Sequence, residues 1–259
     1  MKAVILAGGL GSRMAPITRI VAKEMLPIVD RPVMDYLVED LVNAGVTEIL
    51  VVSHKDKICI QNYFNNTKAH FTYIYPDVPL GVADALMHAK NFVQSEPFIL
   101  FYGDVLFSAK PSSVMQMLEV YNKNNCSVVA TRRVLNKNVH LYGCLAYREV
   151  GENKFVTAII EKPHPSEAPS NMVLAGQYIL TADIFTLLEE ISAGELFTDS
   201  LLRLAKDSHL AIAEIDGKCF DIGSKAGYVL ATLHYAMSHS QVKREIKSFM
   251  YRFNKKDGK

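Results

Sequence analysis

Gly8, Gly9 and Gly11 follow directly on the apolar run from Ala3 to Leu6; Arg13 comes two residues after the last of them and Lys23 ten residues later. A strand that opens into glycines sets bare backbone N–H groups at the carboxyl edge of a sheet, where open α/β sheets take ligands. Glycine supplies the φ angles of a tight loop and lets phosphate oxygens approach the backbone. The two cations can cover charge that the amides leave unbalanced. The chemistry so encoded is polyphosphate binding; a loop that only turns the chain is the plainer reading of the glycines. Two common phosphate loops are excluded by spacing. No Gly-Lys-Ser/Thr follows, and Met14 stands where a dinucleotide fingerprint needs its third glycine.

Two carboxylates extend the pattern. Asp104 ends the very apolar segment PFILFYG, and Asp221 ends KCF before Ile222-Gly223. Acids at strand ends, far apart in sequence, can converge on one Mg²⁺, which favours oxygen ligands and often takes one or two carboxylates plus substrate phosphates. Helix caps or solvated loop acids remain the alternative. Further on, Glu161-Lys162-Pro163 places an acid beside a base, with Gly143 before it and Gly176 after it. A sugar phosphate needs both kinds of contact, a cation for the phosphate and acceptors for hydroxyls. A surface ion pair would read the same. His54 and His88 have no partner at metal-ligand spacing, and Ser12 has no His and Asp partners for nucleophilic catalysis.

These residues need a scaffold. Strands are predicted at Glu48 to Ser53, Phe71 to Tyr75 and Pro97 to Tyr102. Helices are expected at Pro32 to Ala44, Lys57 to Phe64 and Gly81 to Val93, with a turn from Pro76 to Pro79. Strands alternating with helices, and running as continuous apolar stretches, argue for a mostly parallel sheet covered on both faces. After a helix from Ser112 to about Tyr121 and a strand at Ser127 to Thr131 the texture changes. Tyr142 to Arg148, Phe155 to Glu161 and Met172 to Leu180 read as strands with little helix between them. Helices follow at Ala182 to Ile191 and Thr198 to about Asp207, then short strands at Leu210 to Ile215 and Lys218 to Asp221. Ser224 caps a last helix through His239. The expected fold is α/β: a Rossmann-like, mostly parallel sheet flanked by helices, with an added mixed-sheet region and the ligand in the cleft.

The chain has 259 residues and is 49% hydrophobic, enough for a large core. Its net charge of +1 gives no steering toward nucleic acid, and the aromatic residues do not interleave with a basic stripe. Charge is uneven: Ser240 to Lys259 holds seven Lys/Arg against two acids, a short basic tail or a solvated helix end. Cys59, Cys126, Cys144 and Cys219 are widely spaced among apolar neighbours, so buried free thiols and a reducing compartment are expected. No apolar stretch reaches the ~20 residues of a membrane span, and the start does not read as a signal peptide. A cytoplasmic protein without membrane or nucleic-acid partners is expected.

The segments AGGLGSR and KEMLPIVDRPVMDYLVEDLVNAGVTEILVV, followed in order by GD, EKP, APSN…GQYIL and DIGSKAGY, resemble the sugar-1-phosphate nucleotidyltransferases. Within that family the bacterial branch acting on UTP and glucose 1-phosphate is most similar. The resemblance runs from Lys2 to about His239. It implies the nucleotide-diphospho-sugar transferase fold in one catalytic domain, 1–240. Residues 1–132 would serve mainly the nucleotide, and 133–240 mainly the sugar and the second carboxylate; a basic tail, 241–259, follows. It implies transfer of a nucleotidyl group to a sugar 1-phosphate, with Mg²⁺ held by Asp104 and Asp221. Arg13, Lys23 and Lys162 are its catalytic residues, on pyrophosphate, triphosphate and sugar phosphate respectively. Ala7, Gly8, Gly9, Gly11, Asp77 and Gly81 would hold the nucleotide, and Gly143, Glu161, Lys162 and Gly176 the sugar. Its members are homodimers or homotetramers whose partners are small-molecule substrates. One position departs from the pattern. Pro76 stands where the family often carries a base-reading Gln, and proline has neither a side-chain amide nor an N–H. Asp77 or the Gly8–Gly9 backbone would then read the base, or the preference shifts toward dTTP or CTP. The segment Val134 to Tyr142 also reads as abbreviated. A relative that binds a sugar nucleotide without turning it over would keep much of the same loop.

Overall fold

A computed structural model describes residues 1–256 except 66, 79, 193, 207 and 208, and no side chains of 254–256. The predicted boundaries at Pro79 and Asp207 and the end of the basic tail therefore lie outside the described residues. In chain order the strands are β1 (Lys2–Ala7), β2 (Pro27–Ile28), β3 (Arg31–Pro32), β4 (Glu48–Ser53), β5 (His70–Ile74), β6 (Phe98–Tyr102), β7 (Val105–Ala109), β8 (Ser127–Arg133), β9 (Gly143–Val150), β10 (Asn153–Glu161), β11 (Met172–Leu180), β12 (Leu210–Glu214) and β13 (Gly217–Asp221). The helices are α1 (Val33–Asn43), α2 (Ile58–Phe64), α3 (Val82–Met87), α4 (Lys90–Val93), α5 (Ser113–Asn124), α6 (Asp183–Glu189), α7 (Phe197–Leu204), α8 (Lys225–Ala236) and α9 (Lys243–Lys256).

Nine strands form one sheet in the order β5-β4-β1-β6-β11-β8-β12-β10-β9. The first four are parallel, so β1, β4 and β6 all end at the same edge. From β11 onward the sheet is mixed: β11 runs antiparallel to β6 and β8, β12 parallel to β8, and β10 antiparallel to β12 and β9. The mixed region thus continues the parallel sheet. β1 shows why the strands are apolar throughout: Ala3, Ile5 and Ala7 face one core and Val4 the other, so both faces are buried. The first core packs α1 and α5 on one side of the sheet, and the second packs α3, α6 and α7 on the other. In α1 the buried face is Val33, Met34, Leu37, Val38 and Leu41, a helical repeat.

Several expectations change in detail. The helix expected from Gly81 to Val93 is two, α3 and α4, parted by a turn in which Ala89 N donates to Leu86 O at 2.8 Å. β7 is an additional strand. It follows β6 after only two residues and leaves the large sheet to pair antiparallel with β13. Cys126 and Cys144 are buried and Cys219 half-buried, but Cys59 is exposed. The short α2 buries Ile60 and Phe64, four apart, and this turns Cys59 outward. The basic tail is helical, with Phe249 and Phe253 stacked at 6.1 Å. Ser224 caps α8 as expected, its Oγ accepting from Gly227 N at 3.1 Å. Among the described residues no helix is long and apolar enough to cross a membrane.

Candidate active site at the carboxyl edge of the parallel strands

The two strand-end acids meet through one ladder. Gly103 N donates to Leu6 O at 2.9 Å, which holds the end of β6 beside β1. Antiparallel pairing of β7 with β13 then sets Asp221 opposite Val105, and Ile222 N donates to Asp104 O at 2.8 Å. Asp104 Oδ2 and Asp221 Oδ1 lie 2.7 and 2.9 Å from the point that a Cβ on Gly223 would occupy, and Arg13 Nη2 lies 2.8 Å from it. Only glycine leaves this convergence intact. Each acid already carries one cation: Lys23 Nζ is 2.5 Å from Asp104 Oδ2, and Arg13 Nη1 is 3.4 Å from Asp221 Oδ2. The arrangement fits a hard divalent cation held by two carboxylates, with its other positions left to water and substrate oxygens. Among the described residues no third His, Cys, Asp or Glu joins them.

The glycine loop leaves β1 at this edge. Gly11 has φ +68°, a left-handed conformation that a side chain would strain, and Thr18 Oγ1 donates to its carbonyl at 2.8 Å. A Cβ on Gly9 would come within 3.1 Å of Lys23 Nζ, so the loop backbone and that ammonium are neighbours. Behind the loop lie two residues to which the sequence reading gave no role. Glu24 is completely buried beside Lys23, at 3.9 Å, and takes the Lys57 ammonium at 2.9 Å. Burial pushes the Glu24 carboxyl above its usual range, while Lys57 and Lys23 pull the other way. Lys57 follows the end of β4 by four residues. The strand-end logic applied to Arg13 and Lys23 would have found it.

Ahead of Pro76, Tyr73 and Tyr75 stack at 6.4 Å, and the Tyr75 hydroxyl donates to Gln61 Oε1 at 2.8 Å. Pro76 follows. Asp77 is exposed and makes no hydrogen bond or ion pair among the described residues, and Gly81 starts α3 with φ +111°. Among the described residues no hydrogen bond or ion pair joins Asp77 or Gly81 to the glycine loop.

Around the Glu161-Lys162 turn, Glu161 pairs with Gly143 across β10 and β9, and a Cβ on Gly143 would lie 3.0 Å from Glu161 Oε2. The chain turns at Lys162, with φ +49°, and Lys162 N donates to Tyr142 O at 3.0 Å. The Lys162 side chain is 64% exposed and holds Glu161 at 3.5 Å. Gly176 sits in the irregular part of β11 with φ +66°, against Val105 and Tyr102. Burial raises the Tyr102 hydroxyl strongly, with Tyr178 adding to the rise and the charges of Glu161 and Asp104 adding less. The Tyr102 ring packs on Tyr178 at 5.8 Å. Neither tyrosine stood out in the sequence, because each sits in a strand that reads as core.

A parallel α/β sheet with a glycine loop, two cations and two converging carboxylates at its carboxyl edge is a phosphate-transfer architecture. Residues 2–238 match the nucleotidyl transferase family, and the chain belongs to it. A UTP–glucose-1-phosphate uridylyltransferase of Streptococcus pyogenes is 34% identical, covering 98% of this chain and 94% of the relative. Among solved structures, UDP-glucose pyrophosphorylase from Acinetobacter baumannii superposes with a TM-score of 0.90 at 29% identity, covering 97% of this chain and 99% of that one. A UDP-glucose pyrophosphorylase complexed with UDP-glucose gives 0.87 at 32% identity, covering 92% and 99%. The alignment with the Streptococcus relative spans 288 positions against a chain of 259, so that relative carries residues this chain lacks.

Proposed function

We propose that this chain transfers the uridylyl group of UTP to α-D-glucose 1-phosphate, giving UDP-glucose and pyrophosphate. The observation that carries this reading is the convergence of Asp104, Asp221, Lys23 and Arg13 at the mouth of the glycine loop in a member of this family. The attacking sugar-phosphate oxygen is already an anion at neutral pH, so attack on the α-phosphorus needs no general base. The protein's part is positioning and charge neutralisation. The glycine-loop amides and Lys23 hold the triphosphate, and Arg13 steadies the departing pyrophosphate. Lys162 presents the sugar phosphate from the opposite side, and Glu161, Gly143 and Gly176 accept its hydroxyls. Asp104 and Asp221 would hold Mg²⁺, which supplies neutralisation of the phosphate charge.

Pro76 leaves base selection to other groups. We assign it to the Ala7–Gly11 backbone and to Asp77, with Gly81 admitting the ribose closely. The buried, unpaired thiols of Cys126 and Cys144 fit a reducing compartment, the cytoplasm. Exposed Val229, Leu230, Leu233 and Met237 around α8 support a homodimer or homotetramer. The test is pyrophosphate release with Mg²⁺, pairing UTP, dTTP, CTP, ATP and GTP with the 1-phosphates of glucose, galactose, mannose and N-acetylglucosamine. Release chiefly with UTP and glucose 1-phosphate is expected. Strong release with another pair would move the specificity, and sugar-nucleotide binding without release would remove the enzymatic reading.

A further inference from the structure

Lys57 is placed where it cannot be a ligand for substrate. Its ammonium has three N–H donors. They go to Ala7 O at 2.6 Å, Gly9 O at 2.7 Å and the Glu24 carboxylate at 2.9 and 3.2 Å. All three are used, and the side chain is only 11% exposed. Glu24 is fully buried, and the Lys23 ammonium lies 3.9 Å from the Oε1 that Lys57 meets at 3.2 Å. Lys57 therefore ties together the end of β1, the glycine loop and the turn Lys23–Met25.

A planar trans peptide points its N–H opposite to its C=O. The carbonyl of Ala7 shares a plane with the N–H of Gly8, and that of Gly9 with the N–H of Leu10. Drawing both carbonyls onto one ammonium behind the loop turns both N–H groups to the other side. A Cβ on Gly9 would come within 3.1 Å of the Lys23 ammonium, so glycine there keeps the loop clear. On the far side of Glu24, Lys23 lies beside Gly9 and reaches Asp104.

We propose that Lys57 is a positioning residue for the phosphate loop: anchored by Glu24, it aims the Gly8 and Leu10 amides at the triphosphate and fixes the turn that carries Lys23. This deepens the uridylyltransferase reading and rests on it for the identity of the ligand. The anchor acts on the nucleotide alone and leaves the sugar site untouched.

The experiment compares wild type with Lys57→Met, Lys57→Arg and Glu24→Gln. The first readout is independent of turnover: ¹⁵N amide shifts of Gly8 and Leu10 on titration with inorganic triphosphate. Both amides should move in wild type, and in Lys57→Met their response should collapse. The second readout is steady-state kinetics. Lys57→Met should lose roughly 10- to 100-fold in kcat/KM for UTP, with KM for glucose 1-phosphate changed less than about twofold. Lys57→Arg, which keeps a cationic donor, should recover part of the loss. Glu24→Gln should show a smaller loss of the same kind. If Lys57→Met does not fold, Glu24→Gln and Lys57→Arg carry the same amide and KM-against-kcat tests. Unmoved amides in wild type, amides that respond equally in all variants, or losses shared by both substrates would overturn the proposal. Failure of every substrate pair in wild type, with the amides still answering to triphosphate, would instead remove the uridylyltransferase reading and leave the anchor standing.

Discussion

The two halves of the site are organised to different degrees. In the nucleotide half, charges alternate from Lys57 through Glu24 and Lys23 to Asp104, with contacts of 2.9, 3.9 and 2.5 Å and little exposure along the file. In the sugar half, one exposed lysine rests on one acid at 3.5 Å. Buried ion pairs hold geometry because each partner has nowhere else to satisfy its charge. An exposed pair contributes little order, since solvent competes for both ends. In the proposed site, the nucleotide half is therefore held by its own pairs, and the sugar half is expected to take its final geometry from the sugar phosphate.

The largest effect expected is at the junction. Asp104→Ala and Asp221→Ala should each lower kcat about 10³-fold, measured as pyrophosphate release, because each removes charge placement in the transition state. Equal, near-wild-type rates would break the assignment of both halves to one centre. Lys23→Ala and Lys162→Ala should each cost about 10²-fold or more in turnover. The contrast between halves lies in exchange behaviour. Amide exchange around Lys162 should slow on addition of glucose 1-phosphate, whereas that around Lys23 and Glu24 should already be slow. A nucleotide half as mobile as the sugar half would end the comparison. Gly223→Ala should lower kcat roughly 10-fold, as its Cβ pushes against the ends of Asp104, Arg13 and Asp221 and displaces them.

The smallest effect concerns stability, and it marks where the nucleotide half is not ordered by pairing. Burial pushes the Asp40 carboxyl on α1 up to about 6, with Glu39 beside it adding to the rise. The folded chain thus holds this proton more tightly than the unfolded one, so stability falls as pH rises from about 4 to about 6. Asp40→Asn should raise stability at pH 7 by on the order of 1 kcal/mol and flatten that pH dependence, measured by denaturant unfolding. An unchanged slope would show that solvent reaches the carboxylate.

Much of this was legible in order of residues alone. Strand ends announced themselves, because β1 and β6 are apolar runs stopping at Gly and the short β13 stops at Asp221, and the acids after β6 and at the end of β13 do converge. What the sequence hid was partnership. Glu24 sits between Lys23 and Met25 as one more charged residue, and nothing in its neighbourhood says that it is buried against Lys57, 33 positions away. β7 was missed because its start coincides with the acid that ends the preceding segment. Tyr102 and Tyr178 look like core, and only the irregular part of β11 at Gly176 reveals how closely that strand approaches Tyr102. Cys59 failed for the converse reason: Ile60 and Phe64, four apart, fix which face of a short helix is inside, and the residue just before Ile60 takes the outside.

The short ladder of β7 and β13 also sets a clock. It joins Asp104 to a partner that the ribosome adds more than a hundred residues later, so the four parallel strands and their glycine loop can assemble while the second carboxylate does not yet exist. A half-made chain has a nucleotide cradle with an incomplete centre. Closing such a distant pairing is the slow, costly kind of folding event. The pairing of both carboxylates therefore waits on the β13 strand, and with it the completed centre.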